Sequence, residues 1–202
     1  MFYRFFRGFF RLLFMLLFGI RAYGQQNVPE RGGVLLLSNH QSFLDPPLVG
    51  VPISRQLGYL ARRSLFRGAL FGWVIRSLGA MPVRRGAADR AAIRCAIERL
   101  LAGEALVIFP EGTRSRDGAL QPIRGGFRLL VRKAGVPVVP VAVDGAYRAW
   151  PRGRFLPRPR RIRVSYGRPI PAADLVELTD AEAGERLTRE ISSLLSRLQR
   201  LS

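Results

Sequence analysis

Short runs that are apolar at nearly every position alternate along this chain with longer amphipathic stretches. The runs are Val34–Leu37, Leu57–Leu60, Met81–Val83, Ala105–Phe109, Val138–Val143 and Ile162–Tyr166. A strand that is apolar on both faces must be covered on both faces, and that condition is met by a parallel or mostly parallel sheet with helices in its crossovers. Helix-like stretches fall between the runs, near Pro46–Ile53, Leu65–Leu78, Ala88–Ala102 and Phe127–Ala134. A last one begins near Asp180, where Thr179 and Glu182 have the spacing of a capping box. The expected class is therefore α/β, a mostly parallel sheet flanked by helices. A chain of 202 residues suits one such domain.

In sheets of this kind ligands bind beyond the carboxyl ends of the strands. Two polar motifs stand at such ends. Asn39-His40 follows the run Val34–Leu37, and Pro110-Glu111-Gly112-Thr113-Arg114 follows Ala105–Phe109.

Residues 1–27 read differently from the rest, and the chain divides into this N-terminal segment and a body spanning 28–202. Arg4, Arg7 and Arg11 share one helical face, while Phe5, Phe6, Phe9 and Phe10 fill much of the remainder. The uncharged run Leu12–Ile20 would span only about 14 Å as a helix, against the roughly 30 Å of a hydrocarbon core. A cationic stripe beside bulky aromatics describes an amphipathic helix, or helices, lying in the headgroup region of an anionic membrane. A core helix and a secretory signal peptide, with Ala22-Tyr23-Gly24 near its end, share parts of this pattern.

The charge is lopsided: Lys and Arg number 33 against 14 for Asp and Glu, a net +19. Such a field favours an anionic partner, whether a membrane surface, a phosphorylated ligand or nucleic acid. The aromatic residues gather in the apolar N-terminus and do not interleave with arginine as a base-stacking surface would require, which argues against a specific nucleic-acid partner. With one cysteine, Cys95, and one histidine, His40, neither an internal disulfide nor a His/Cys zinc cluster can be assembled. The Pro/Arg stretch Trp150–Arg161 reads as an exposed basic loop.

His40 is the one side chain with an ordinary pKa near neutrality. Asp45 follows five residues later, ahead of Pro46-Pro47, which suit a helix start. If the chain turns there, the carboxylate can fix one ring nitrogen and leave the other to accept a proton. Spacing alone equally allows Asp45 to cap the helix while His40 bonds backbone. No G-x-S-x-G elbow occurs, so a base here would activate a hydroxyl on the substrate. The Glu111–Arg116 stretch combines arginines, hydroxyls and glycine in a turn able to cradle phosphate, without a Walker or dinucleotide pattern. Arg84-Arg85 adds charge at the same sheet edge.

These blocks resemble those of the phospholipid/glycerol acyltransferases, and among them the lysophosphatidic acid acyltransferases. Asn39–Asp45 resembles N-H-x-S-x-x-D, Gly79–Arg85 a second block and Phe109–Ser115 the third, F-P-E-G-T-R-S. Val136–Val141 is similar to the fourth. The resemblance implies a glycerol-phosphate acyltransferase-like fold with His40 as general base and Asp45 orienting it. Arg85, Glu111, Gly112, Thr113 and Arg114 would bind the glycerol phosphate of a lysophospholipid acceptor, and the fourth block would serve the active-site wall or the acyl chain. Acyl-CoA or acyl carrier protein would be the co-substrate, with no metal and no other cofactor. It implies an enzyme at the cytoplasmic face of the cell membrane, peripheral or monotopic, making phosphatidic acid from 1-acyl-glycerol-3-phosphate or acylating another lysolipid, such as a lyso-aminolipid. Arg84 replaces an acidic residue common at its position, and Arg124-Gly125 stands where lysines often follow the third block.

Overall fold

The computed structural model describes residue 8 and residues 12–68, 72–73, 75–76, 79–83 and 90–201. Strands β1 (Arg21–Tyr23), β2 (Val34–Ser38), β3 (Leu57–Arg62), β4 (Ala80–Val83), β5 (Ala105–Ile108), β6 (Val138–Asp144) and β7 (Arg163–Tyr166) form one sheet. Their order is β1-β7-β6-β2-β5-β3-β4. From β6 to β4 every neighbouring pair is parallel. At the other end β7 runs antiparallel to β6, and β1 runs parallel to β7.

The all-apolar runs are buried on both faces, as their composition requires. Along β2, Val34 and Leu36 enter one core while Leu35 and Leu37 enter the other. The first core is closed by the helix Asp45–Gly50 and by helical residues 12–18, which contribute Phe14 and Phe18. The second lies beneath the helices Arg90–Leu101, Arg128–Ala134 and Asp180–Arg200. The last of these opens on the expected capping box: Glu182 N–H donates to Thr179 Oγ1 at 3.3 Å, and Thr179 N–H donates to the Glu182 carboxylate at 2.7 Å. Seven buried residues, from Ala183 to Leu198, then hold that helix on the sheet.

The N-terminal segment is helical only in part. Residues 12–18 are helical, whereas Arg21–Tyr23 is an edge strand registered on Arg163–Ser165. The difference has a physical cause. Ala22 and Tyr23 pack on opposite cores, the alternation of a strand, but three residues are too few to break the apolar run read before them. Arg4, Arg7, Arg11 and the phenylalanines among them lie outside the described residues, as do parts of the Leu65–Leu78 and Ala88–Ala102 stretches. Arg63–Phe66 is a 3-10 turn. No helix among the described residues is long and apolar enough to cross a membrane.

Candidate active site

At the carboxyl end of β2 the chain leaves the sheet through Asn39, whose side chain behaves as one more strand peptide. Its Nδ2 donates to Val143 O at 2.9 Å, and its Oδ1 accepts Val143 N–H at 2.8 Å, both out of water. This pins the start of the following turn to β6. The turn itself wraps around Asp45, which is fully buried. One oxygen, Oδ2, accepts the backbone N–H of Gln41 at 2.6 Å and of Ser42 at 2.7 Å, and meets His40 Nδ1 at 2.7 Å. Pro46 and Pro47 then start the helix Asp45–Gly50 without spending N–H groups that would have no partner. Tyr166 anchors that helix from β7, its hydroxyl donating to Val49 O at 2.7 Å.

Of the two roles that spacing allowed Asp45, the structure shows the one that orients the ring. An ionised carboxylate only accepts, so the Nδ1 in this contact is a donor, and in the neutral ring Nε2 is the nitrogen with the free lone pair. The ring is fixed from a second side by Phe109, stacked at 4.2 Å between centroids with planes 23° apart. The side chain is 19% exposed, enough for a substrate atom to reach it.

The loop after β5 grips the same residue through its backbone. Glu111 Oε1 accepts His40 N–H at 2.8 Å, and Ser115 N–H donates to His40 O at 2.7 Å. Burial pushes the Glu111 carboxyl up to about 7; the N–H groups of His40 and Gln121 oppose that shift, and the charge of Asp45 adds to it. Ser115 and Asp117 fold the rest of the loop through Ser115 Oγ–H to Asp117 at 2.8 Å, and Gln41 Nε2 ties it back at Gly118 O, 2.7 Å. Gly112 sits at φ 74°, a left-handed turn that glycine adopts without a Cβ penalty.

The structure thus brings His40 into direct contact with both Asp45 and Glu111, through its ring and its backbone N–H respectively. Gly112 and Thr113 are exposed on the same loop. Arg114 lies over the Phe43 ring, its guanidinium carbon 3.4 Å from the centroid, at the rim beside Ser42. Ser42 Oγ–H donates to Trp150 O at 2.7 Å. Arg85, with Arg84, lies outside the described residues. The sequence blocks contain Asn39, Phe109 and Ser115 but did not disclose these contacts, because each acts on a residue distant in the chain.

Among the described residues, hollows open on this edge. Leu60, Ile108, Phe109, Phe127 and Leu130 line an apolar one of about 260 Å³, with Arg124 also on its wall. Beyond β3 and β4, Arg63, Arg67 and Arg76 border a broader one of about 1140 Å³. Among the described residues no cluster of three or more His, Cys, Asp or Glu is placed to hold a metal ion.

A sequence model of the family described as Acyltransferase matches residues 19–144, a span that holds both motifs. The chain is 26% identical over 198 residues to the 1-acyl-sn-glycerol-3-phosphate acyltransferase of Bacillus subtilis, covering 98% of this chain and 96% of that protein. It is 28% identical to the 1-acyl-sn-glycerol-3-phosphate acyltransferase of Streptococcus pneumoniae, covering 98% of this chain and 73% of that one. It is also 34% identical over 135 residues to a lyso-ornithine lipid O-acyltransferase of Pseudomonas aeruginosa, covering 66% of this chain and 50% of that protein. The crystal structure of the 1-acyl-sn-glycerophosphate (LPA) acyltransferase PlsC from Thermotoga maritima superposes with a TM-score of 0.84 at 26% identity, covering 98% of this chain and 79% of that one.

Proposed function

Since the chain belongs to the acyltransferase family, we propose that it transfers an acyl group to the free hydroxyl of 1-acyl-glycerol-3-phosphate, with His40 as the base. The observation that carries this reading is the 2.7 Å contact of His40 Nδ1 with buried Asp45, at the carboxyl end of a parallel strand and beneath an arginine-bearing loop. Nε2 takes the proton of the acceptor hydroxyl as its oxygen attacks the thioester carbonyl of acyl-CoA or acyl carrier protein. The carbon–oxygen bond forms, the carbon–sulfur bond breaks, and the departing thiolate takes the proton back from the imidazolium. Asp45 holds the tautomer and stabilises that imidazolium. Arg114, Thr113 and Gly112 hold the acceptor phosphate with Arg85, and Glu111 shapes the loop that presents them. The apolar hollow ending at Phe109 suits an acyl chain whose carbonyl stops beside the histidine. No metal or further cofactor enters this scheme. The acceptor is a membrane lipid and the donor is soluble, so the enzyme works at the cytoplasmic membrane face.

A second acceptor is supported by the lyso-ornithine lipid O-acyltransferase of Pseudomonas aeruginosa, which shares 34% identity with two thirds of this chain. A lyso-aminolipid also offers a free hydroxyl for O-acylation, without the glycerol phosphate. The purified protein is offered lysophosphatidic acid, lysophosphatidylcholine and a lyso-aminolipid, each with acyl-CoA and with acyl carrier protein. Phosphatidic acid is the expected product, lost in His40→Ala. Transfer to the aminolipid alone selects the second acceptor, and no transfer in any combination rejects both.

A further inference from the structure

The stretch that links the short helix Ala146–Ala149 to β7 takes no part in the chemistry above. From Arg152 to Arg161 every residue is exposed. At its tip Phe155 is 91% and Leu156 67% exposed, the side chains that a water-soluble surface has most reason to hide. The loop is nevertheless built. Trp150 Nε1–H donates to Arg154 O at 2.9 Å, and Arg158 N–H donates to Ala149 O at 2.8 Å. Pro151, Pro157 and Pro159 fix φ around the tip, so little freedom is left to lose on docking.

Arg152, Arg154, Arg158, Arg160 and Arg161 surround that apolar tip with no carboxylate among them. None of these arginines forms an ion pair among the described residues. The loop also continues a second apolar surface. Ile162 N–H donates to Phe18 O at 3.1 Å, which seats the end of the loop against the end of helical residues 12–18. Those residues bury Phe14 and Phe18 but leave Leu12 60%, Met15 53% and Leu16 77% exposed.

We propose that the Arg152–Arg161 loop docks on an anionic lipid bilayer, with Phe155 and Leu156 entering the boundary between headgroups and acyl chains and the arginines binding lipid phosphates. An acidic protein would pair with the arginines, but it would also need a pocket for two adjacent apolar side chains; a bilayer accepts them wherever they land. This contact adjoins helical residues 12–18 of the N-terminal segment and is carried by the loop's own residues. It deepens the membrane location proposed above and rests on that reading only for its biological setting.

The full chain is sedimented with vesicles of phosphatidylcholine alone and with vesicles containing about one third phosphatidylglycerol. Phe155→Ser/Leu156→Ser should weaken binding to the anionic vesicles by about tenfold or more. Arg152→Ala/Arg154→Ala should weaken it by about fivefold for each arginine removed and leave the residual binding to phosphatidylcholine unchanged. Both variants should keep the wild-type melting temperature and the wild-type turnover of detergent-dispersed acceptor. Unchanged vesicle binding in both variants overturns the proposal. So does intact vesicle binding with lost affinity for acyl carrier protein, which assigns the loop to a protein donor. A wild-type protein without turnover whose vesicle binding still depends on this loop overturns the proposed function and leaves the docking surface standing.

Discussion

The Glu111 carboxylate accepts the backbone N–H of His40 at 2.8 Å, so the residue that follows β5 by three positions holds the peptide of the residue that follows β2 by two. Burial raises this carboxyl from 4.5 to about 7. Between those values the folded chain keeps a proton that the unfolded chain has released, so stability falls as pH rises through that window. Below the lower value the contribution is flat, and above the upper one the whole penalty is present. Glu111→Gln retains an amide oxygen for the His40 N–H and removes the titration. Melting curves from pH 4 to pH 8 should show the difference between variant and wild type growing in the variant's favour across that window. A constant difference would falsify the placement of this proton.

His40→Ala should lower kcat by about 10²–10⁴-fold, the usual worth of a positioned base, with the circular dichroism spectrum unchanged. Asp45→Asn weakens one oxygen that serves His40 and two backbone N–H groups together. It should therefore reduce both kcat and stability, the latter by about 1–3 kcal/mol in urea denaturation. A stable Asp45→Asn protein with wild-type kcat would remove the carboxylate from the mechanism.

Asn39→Ala strips both hydrogen bonds from the buried Val143 peptide. Two unsatisfied buried groups should cost about 2–4 kcal/mol, read as a shift in the urea midpoint at constant slope. Amide exchange at Val143 should rise by more than exchange in the neighbouring β6–β7 pairs.

Phe109→Leu preserves much of the apolar volume and removes the ring stacked on His40 at 4.2 Å. Stacking of this kind is worth about 0.5–1.5 kcal/mol, so kcat should fall by up to about tenfold while the acceptor KM stays near the wild-type value. A change confined to KM would place Phe109 in substrate binding alone.

Much of this architecture is legible because burial on both faces leaves a mark at every position. Val34–Leu37 and Val138–Val143 could only be central strands, and Thr179 with Glu182 announced the last helix through a local exchange of hydrogen bonds. His40 and Asp45 were legible for the same reason, being five residues apart. The Asn39–Val143 and His40–Glu111 contacts join residues 104 and 71 positions apart, and no local pattern encodes them. β1 was hidden by its length of three residues. Glu111 reads by family resemblance as a ligand of the acceptor, yet its Oε1 holds the His40 peptide and only 7% of the residue remains exposed.

The position of β2 between β5 and β6 also sets a timetable. A polypeptide is made from its N-terminus and its domains fold as they emerge, while pairings between distant segments form slowly. The histidine leaves the ribosome early, its backbone clamp at Glu111 arrives 71 residues later, and Val143 arrives later still. β7 and the helix Asp180–Arg200, which pack on β6, come after both. A nascent chain halted before Val143 therefore carries His40 without the contacts that fix the turn around it.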